Sequence, residues 1–180
     1  MKETLHQTPW LGLHRIGHWD FVERPNATAA VGVLALTPER EVLLVEQFRI
    51  PVQTRVIEIP AGLVGDEDRH RDESLAETAG RELEEETGYR ASQVEELLVS
   101  PTSAGMANEF THLFLATGLE KVAAGGGVGA EEIEVHRVPL DSIREWLGRR
   151  RSEGVAVDFK IEAALWAADL GSRAPFENGK

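Results

Sequence analysis

A chain of 180 residues with 42% hydrophobic side chains is the size of one domain with an ordinary core. Its 31 acidic and 19 basic residues leave a net charge of −12, which disfavours nonspecific binding to nucleic-acid backbone or anionic lipid, so an anionic substrate needs a local cation. The absence of cysteine excludes disulfide staples and thiolate metal sites. With no apolar run in "MKETLHQTPW" and no stretch of about 18 apolar residues anywhere, a soluble, cytoplasmic protein without nucleic-acid or membrane partners is expected.

In chain order, "LGLHRIGHWDFVERPNA" (11–27) alternates as a strand or hairpin does. "ATAAVGVLAL" (27–36) and "EVLLVEQF" (41–48) flank the turn-forming "TPER" and predict a hairpin. "RVIEI" (55–59) reads as a strand broken by "PAG". From 74 to 87 the period changes: Leu75, Ala76, Ala79 and Leu83 share one stripe and Gly88 stands where a C-terminal cap belongs, so a helix of about four turns is predicted. Gly80 inside it costs roughly 1 kcal/mol relative to Ala, which points to close backbone packing there.

Strands are predicted at 94–100, 111–119 and 132–138, with "EKVAAGGGVGAEE" before the last read as a mobile glycine-rich loop. "DSIREWLGRRR" (141–151) and "DFKIEAALWAADL" (158–170) have helical spacing, with Asp141 and Asp158 as candidate N-caps. Strands, a helix, strands and two helices make an α+β order rather than regular βαβ alternation. "GGGVG" is not a dinucleotide fingerprint, since no helix with the right spacing follows. His70, His112 and His136 lack the paired spacing of a zinc site and are read as surface or packing residues.

"RELEEETG" (81–88) carries the chemistry. Glu82, Glu85 and Glu86 stand at i, i+3 and i+4, so on a helix their carboxylates emerge on one face. A solvated surface gains nothing from that repulsion, and only Arg81 and Arg90 lie near enough in sequence to balance it. A hard divalent cation such as Mg²⁺, which takes oxygen ligands and keeps positions for water and phosphate, turns the repulsion into attraction.

With "AG" at 61–62 and Glu73, "RELEEETGY" (81–89) resembles the Nudix box, G-x5-E-x7-R-E-U-x-E-E-x-G-U with U apolar or aromatic. Every position from Glu73 to Tyr89 fits, but ten residues separate Gly62 from Glu73 where the pattern has five, so "GDEDRHRD" (65–72) contains an insertion of five. "VEQFR" (45–49), "EIPAG" (58–62), "SPTSAGMANE" (100–109) and "AEEIEV" (130–135) resemble the ADP-ribose and nucleoside diphosphate sugar pyrophosphatase branch.

The resemblance implies an α/β/α sandwich with a mixed central sheet, an amino-terminal strand segment (1–26) that packs or exchanges across a homodimer, and a hydrolase domain (27–180). It implies hydrolysis of the diphosphate of ADP-ribose or a related nucleotide sugar. A GDP-mannose-preferring enzyme and a noncatalytic nucleotide-sugar-binding regulator are the alternatives. Mg²⁺, which Mn²⁺ can replace, would be held by Glu82, Glu85, Glu86 and the Ala61 carbonyl, with Glu85 also a catalytic candidate. The base is expected from the late acidic loop, at Glu131 or Glu132. Arg49 is the phosphate candidate, Glu58 would bind ribose or support its loop, Glu109 would assist the metal site, and Trp19, Phe21 or Trp10 would stack on the base.

Overall fold

Two apolar segments whose alternate residues are buried on opposite faces set the architecture. A computed structural model of the protein describes residues 1–127, 129 and 132–170. Strands β1 (Lys2–Gln7), β2 (Gly12–Ile16) and β3 (Trp19–Glu23) form a separate antiparallel meander. Then come β4 (Ala29–Leu36), β5 (Glu41–Arg49), β6 (Thr54–Glu58), β7 (Ala61–Val64) and helix α1 (Leu75–Thr87). They are followed by β8 (Tyr89–Arg90), β9 (Gln93–Pro101), β10 (Phe110–Thr117), β11 (Glu120–Lys121), β12 (Glu134–Pro139), α2 (Ile143–Ser152), β13 (Ala156–Val157) and α3 (Lys160–Ala167).

The central sheet runs β13-β6-β5-β4-β10-β9, with β12 on β5 and β7 on β4. Strand β10 is parallel to β4, and β13 to β6, while the other pairs are antiparallel, so the sheet is mixed. Because side chains alternate along a strand, Val31, Val33 and Ala35 of β4 pack with Ala79 and Leu83 of α1. Leu34 of the same strand joins Ile143, Leu147, Ile161 and Leu165 of α2 and α3 on the opposite face. The expected α+β sandwich is thus built by one helix on one face and two on the other.

The predicted hairpin of 27–36 and 41–48 forms but forks. β4 and β5 pair only at Ala35–Leu43 and Leu36–Val42. The first half of β4 then takes β7, with Gly32 opposite Ala61, and the second half of β5 takes β6. The fork brings Ala61 and Gly62 beside α1.

Ser74 starts α1 with a capping box: its hydroxyl accepts the Glu77 N–H and Glu77 returns a bond to the Ser74 N–H. Gly88 ends it at φ 74°, its N–H donating to the Glu84 carbonyl. Two expectations fail. A Cβ at Gly80 would meet nothing within 4 Å, so no close packing explains that glycine, which lies beside an open surface depression rather than against the sheet. Asp141 is not an N-cap, because a short 3₁₀ turn (Leu140–Ser142) precedes α2 and displaces its start to Ile143. Asp158 accepts the Lys160 N–H at 2.7 Å, but it stands one residue before the N-cap position of α3, Phe159, which makes no side-chain cap bond. Among the described residues no helix is long and apolar enough to cross a membrane.

Candidate active site

The stripe that seats α1 on the sheet also aims its carboxylates. Ala79, Leu83 and Glu86 follow at i, i+4 and i+7, so Glu86 points inward with the core residues and is buried. There its Oε2 accepts the Ala61 N–H at 3.1 Å. Glu82, one turn earlier on the same edge, is 15% exposed, and Glu85, further round toward solvent, is 28% exposed. Gly62 makes room for Glu82, since a Cβ there would lie 2.1 Å from its Cδ.

Arg81 orients the group. Its Nη1 lies 2.9 Å from Glu82 and 3.0 Å from Glu85, and its Nε donates to Glu73 at 3.0 Å. Burial works against the guanidinium's charge, but the bond to Glu73 and the charges of Glu82, Glu73 and Glu85 outweigh it and raise its pKa. Arg90, the other sequence neighbour, pairs with Glu84 instead. Burial also raises Glu82, with Glu85 and Asp66 adding to the effect and Arg81 opposing it, to about 7.

Strand alternation sends two ion pairs to opposite faces of β5 and β6. On the α1 face Arg49 Nε donates to the buried Glu58 at 2.6 Å. Burial opposes the charge of Arg49, yet Glu58 and then Glu86 and Asp158 raise its pKa. On the other face the buried Glu46 accepts from Arg55 and Arg150, each at 2.6 Å, and lies 2.9 Å from His136 Nε2. Burial alone would raise the Glu46 pKa, but these bonds hold it down at about 2. Ligand atoms of Glu46, Glu134 and His136 lie within 4.8 Å of one another, the spacing of a metal site. The two arginines already balance Glu46.

A cavity of about 330 Å³ joins Glu82, Glu85, Glu86, Arg81, Arg49 and Ala61 to Asp66, Glu67 and Arg69. Its lining carries five carboxylates (66, 67, 82, 85 and 86) against three guanidiniums (49, 69 and 81). Arg81 is further occupied by Glu73, and Arg49 by Glu58. Hard oxygen donors with surplus negative charge fit a divalent cation. The histidines are not part of the cavity lining: His70 pairs with Glu73, His112 with Glu96 and His136 with Glu46.

Not every candidate reaches the cavity. Trp19 lies exposed on β3, with the His18 ring 6.3 Å away, and is not part of the lining. Phe21 packs beside His14 and Trp10 is exposed. Glu109 accepts from Arg24 at 2.7 Å beside a different hollow, of about 260 Å³. Glu58 is not part of the lining and is paired with Arg49. Glu131 lies outside the described residues, and Glu132 sits just before β12.

The glycine-rich segment behaves differently from the mobile loop expected. Over 122–127 it is held on the C-terminal end of α1: the Val122 and Ala123 N–H groups donate to the Gly88 carbonyl, Gly126 to Glu86 at 2.8 Å and Gly127 to Glu85 at 3.1 Å. Lys121 Nζ adds a bond to the Thr87 carbonyl at 2.8 Å. Helix ends leave carbonyls without intrahelical partners, and only a glycine at 125 lets the chain approach them this closely, since a Cβ there would lie 2.4 Å from the Thr87 carbonyl carbon; residues 125–127 all take positive φ, between 77° and 105°.

The family model described as NUDIX domain matches residues 26–157. The chain is 38% identical over 131 residues to the ADP-ribose pyrophosphatase of Bacillus subtilis (strain 168), covering 67% of this chain and 68% of that protein. It is 36% identical over 143 residues to the methanol dehydrogenase activator of Bacillus methanolicus, covering 73% and 75%. A solved structure described as an ADP compounds hydrolase matches at a TM-score of 0.70 over 94% of this chain and 90% of that one, a likeness of fold at 16% identity. Since the match runs from just before β4 to the end of β13 and takes in the whole glutamate helix, the chain belongs to the Nudix hydrolase family.

Proposed function

We propose that the protein hydrolyses the diphosphate linkage of ADP-ribose or a related nucleoside diphosphate sugar, with Mg²⁺ as the resident ion and Mn²⁺ able to replace it. The observation that carries this reading is the convergence of Glu82, Glu85 and Glu86 on one cavity that also takes Arg49. The similarity to the Bacillus subtilis ADP-ribose pyrophosphatase supports the substrate class.

In this reading Glu82, Glu85 and Glu86, with the Ala61 carbonyl, would hold the cation, and Arg81 keeps Glu82 and Glu85 in place. A bound divalent ion supplies charge neutralisation at the nonbridging oxygens. Arg49, held by Glu58, receives a substrate phosphate. Glu131 or Glu132 takes the proton of the attacking water; one bridging P–O bond breaks, and a nucleoside monophosphate and a sugar phosphate leave. Trp19 and Glu109, remote from the cavity within one chain, would contribute in a cytoplasmic homodimer in which the 1–26 segment packs against the 27–180 domain of a second copy.

The test incubates the protein with Mg²⁺ and ADP-ribose, GDP-mannose, UDP-glucose or ADP-glucose and measures monophosphate release. Turnover of a panel member is expected, and Glu86→Gln should lower it by orders of magnitude. A protein that binds one of them tightly and cleaves none is instead a regulator.

A further inference from the structure

We infer that Arg69, carried by the insertion between Gly62 and Glu73, is a substrate-binding residue that contacts the diphosphate; this rests on the function proposed above. The insertion is folded onto the site. Gly65 turns it at φ 76°, and a 3₁₀ turn (Asp68–His70) is closed by the His70 N–H donating to the Glu67 carbonyl at 3.0 Å. His70 Nδ1 then lies 2.5 Å from Glu73 Oε1. The other oxygen of Glu73 accepts from Arg81, which in turn reaches Glu82 and Glu85. One carboxylate therefore ties the insertion to the arginine that organises the metal-site acids, and Arg69 is set into the wall of the same cavity.

Of the three cavity arginines, Arg69 is the one whose present partner is cheapest to give up. Arg81 is engaged by three carboxylates, and Arg49 by a Glu58 side chain only 8% exposed. Arg69 pairs at 2.5 Å with Glu67, and both side chains are more than half exposed, at 63% and 54%. Exposed pairs of this kind contribute little, whereas a guanidinium meeting phosphate forms charge-assisted, often bidentate bonds. A cavity with surplus negative charge repels a diphosphate wherever no cation intervenes. An arginine that can exchange Glu67 for phosphate answers that repulsion on the insertion side, as Arg49 does on the β5 side.

The contact is made with the ground state as well as the transition state, so it acts on KM. Arg69→Ala should raise KM for the best panel substrate about tenfold, the loss of one charge-assisted contact, with kcat within a factor of about two and the melting temperature unchanged. Arg69→Lys should recover part of the loss, and Glu67→Gln should leave KM equal or lower. Calorimetric titration with ADP in the presence of Mg²⁺ reads the same contact without turnover, and Arg69→Ala should weaken it by a similar factor. An active enzyme with unchanged KM in Arg69→Ala overturns the inference and leaves the function standing. If the wild type cleaves no panel member, the function fails and the ADP titration decides: weakening in the variant supports the contact, while equal or undetectable ADP binding overturns it.

Discussion

The Cδ of Glu82 occupies the position that a side chain on Gly62 would need, 2.1 Å from an ideal Cβ. The carboxylate of one element and the missing side chain of another are therefore one feature. Gly62→Ala should displace Glu82 rather than the sheet, because the far end of a side chain yields more easily than paired backbone. Titration calorimetry with Mn²⁺ should show affinity reduced about tenfold or more, in the range seen when groups supporting a ligand are lost, with little change in metal-free stability. Unaltered affinity would mean that Glu82 is not a ligand.

Glu82 also gives the site a pH dependence. Burial raises its pKa to about 7, above the ordinary 4.5. The metal-free fold therefore binds that proton more tightly than the unfolded chain does. Its contribution to stability is full below pH 4.5 and is lost as pH rises toward 7. A cation binds only the ionised carboxylate, so the rise in melting temperature produced by Mg²⁺ should be larger at pH 8 than at pH 6. Glu82→Gln should abolish that difference.

Gly125 sits at φ 77°, and a Cβ there would lie 2.4 Å from the Thr87 carbonyl carbon. Both partners of the clash are backbone. Gly125→Ala should destabilise the protein by at least the roughly 1–2 kcal/mol of a left-handed alanine, measured by chemical denaturation. It should also lower kcat, since Gly126 and Gly127 can no longer bind the carbonyls of Glu86 and Glu85. Normal stability would show that this segment does not hold the helix end.

Gly80 gives the opposite expectation. It is a mid-helix glycine with open space where its side chain would be. Gly80→Ala should stabilise the fold by about 0.5–1 kcal/mol through helix propensity and a less flexible unfolded chain, seen as a higher melting temperature with turnover unchanged.

On the far face, Glu46 is ionised and bound by Arg55, Arg150 and His136, with its pKa held down at about 2. A depressed carboxylate stabilises the fold above its unfolded value, and that stability is lost as pH falls from 4.5 toward 2. Glu46→Ala leaves Arg55 to Glu134 and Arg150 to Glu153, and the loss of the bonds to Glu46 should cost about 1–2 kcal/mol at pH 7. Glu46→Gln should flatten the acid side of the stability profile, and a profile parallel to wild type would rule out this linkage.

The short apolar runs at 27–36 and 41–48 on either side of a turn made the central strands legible, and the i, i+3, i+4 spacing made the carboxylate cluster legible, because both are patterns within a few residues. Glu46 was legible in principle too, as a charge at an inward position of a strand buried on both faces. Its partners Arg55, His136 and Arg150 come from β6, β12 and α2, and no local pattern in the sequence joins them. The glycines at 125–127 suggested freedom, yet the same lack of side chains lets the chain seat on carbonyls that only the folded helix presents.

The order of residues alone determined the longer strands of the central sheet, though not β1 or β7, the glutamate helix with its capping glycine, and the chemistry that three neighbouring glutamates can perform, since each depends on spacing within a few residues. Tertiary structure decided which groups share that chemistry. Arg49, the inserted Arg69 and the space left by Gly62 meet the glutamates only because β4 and β5 fork and admit β7 beside α1. Contacts between segments far apart in the chain follow from packing and strand pairing, not from local periodicity.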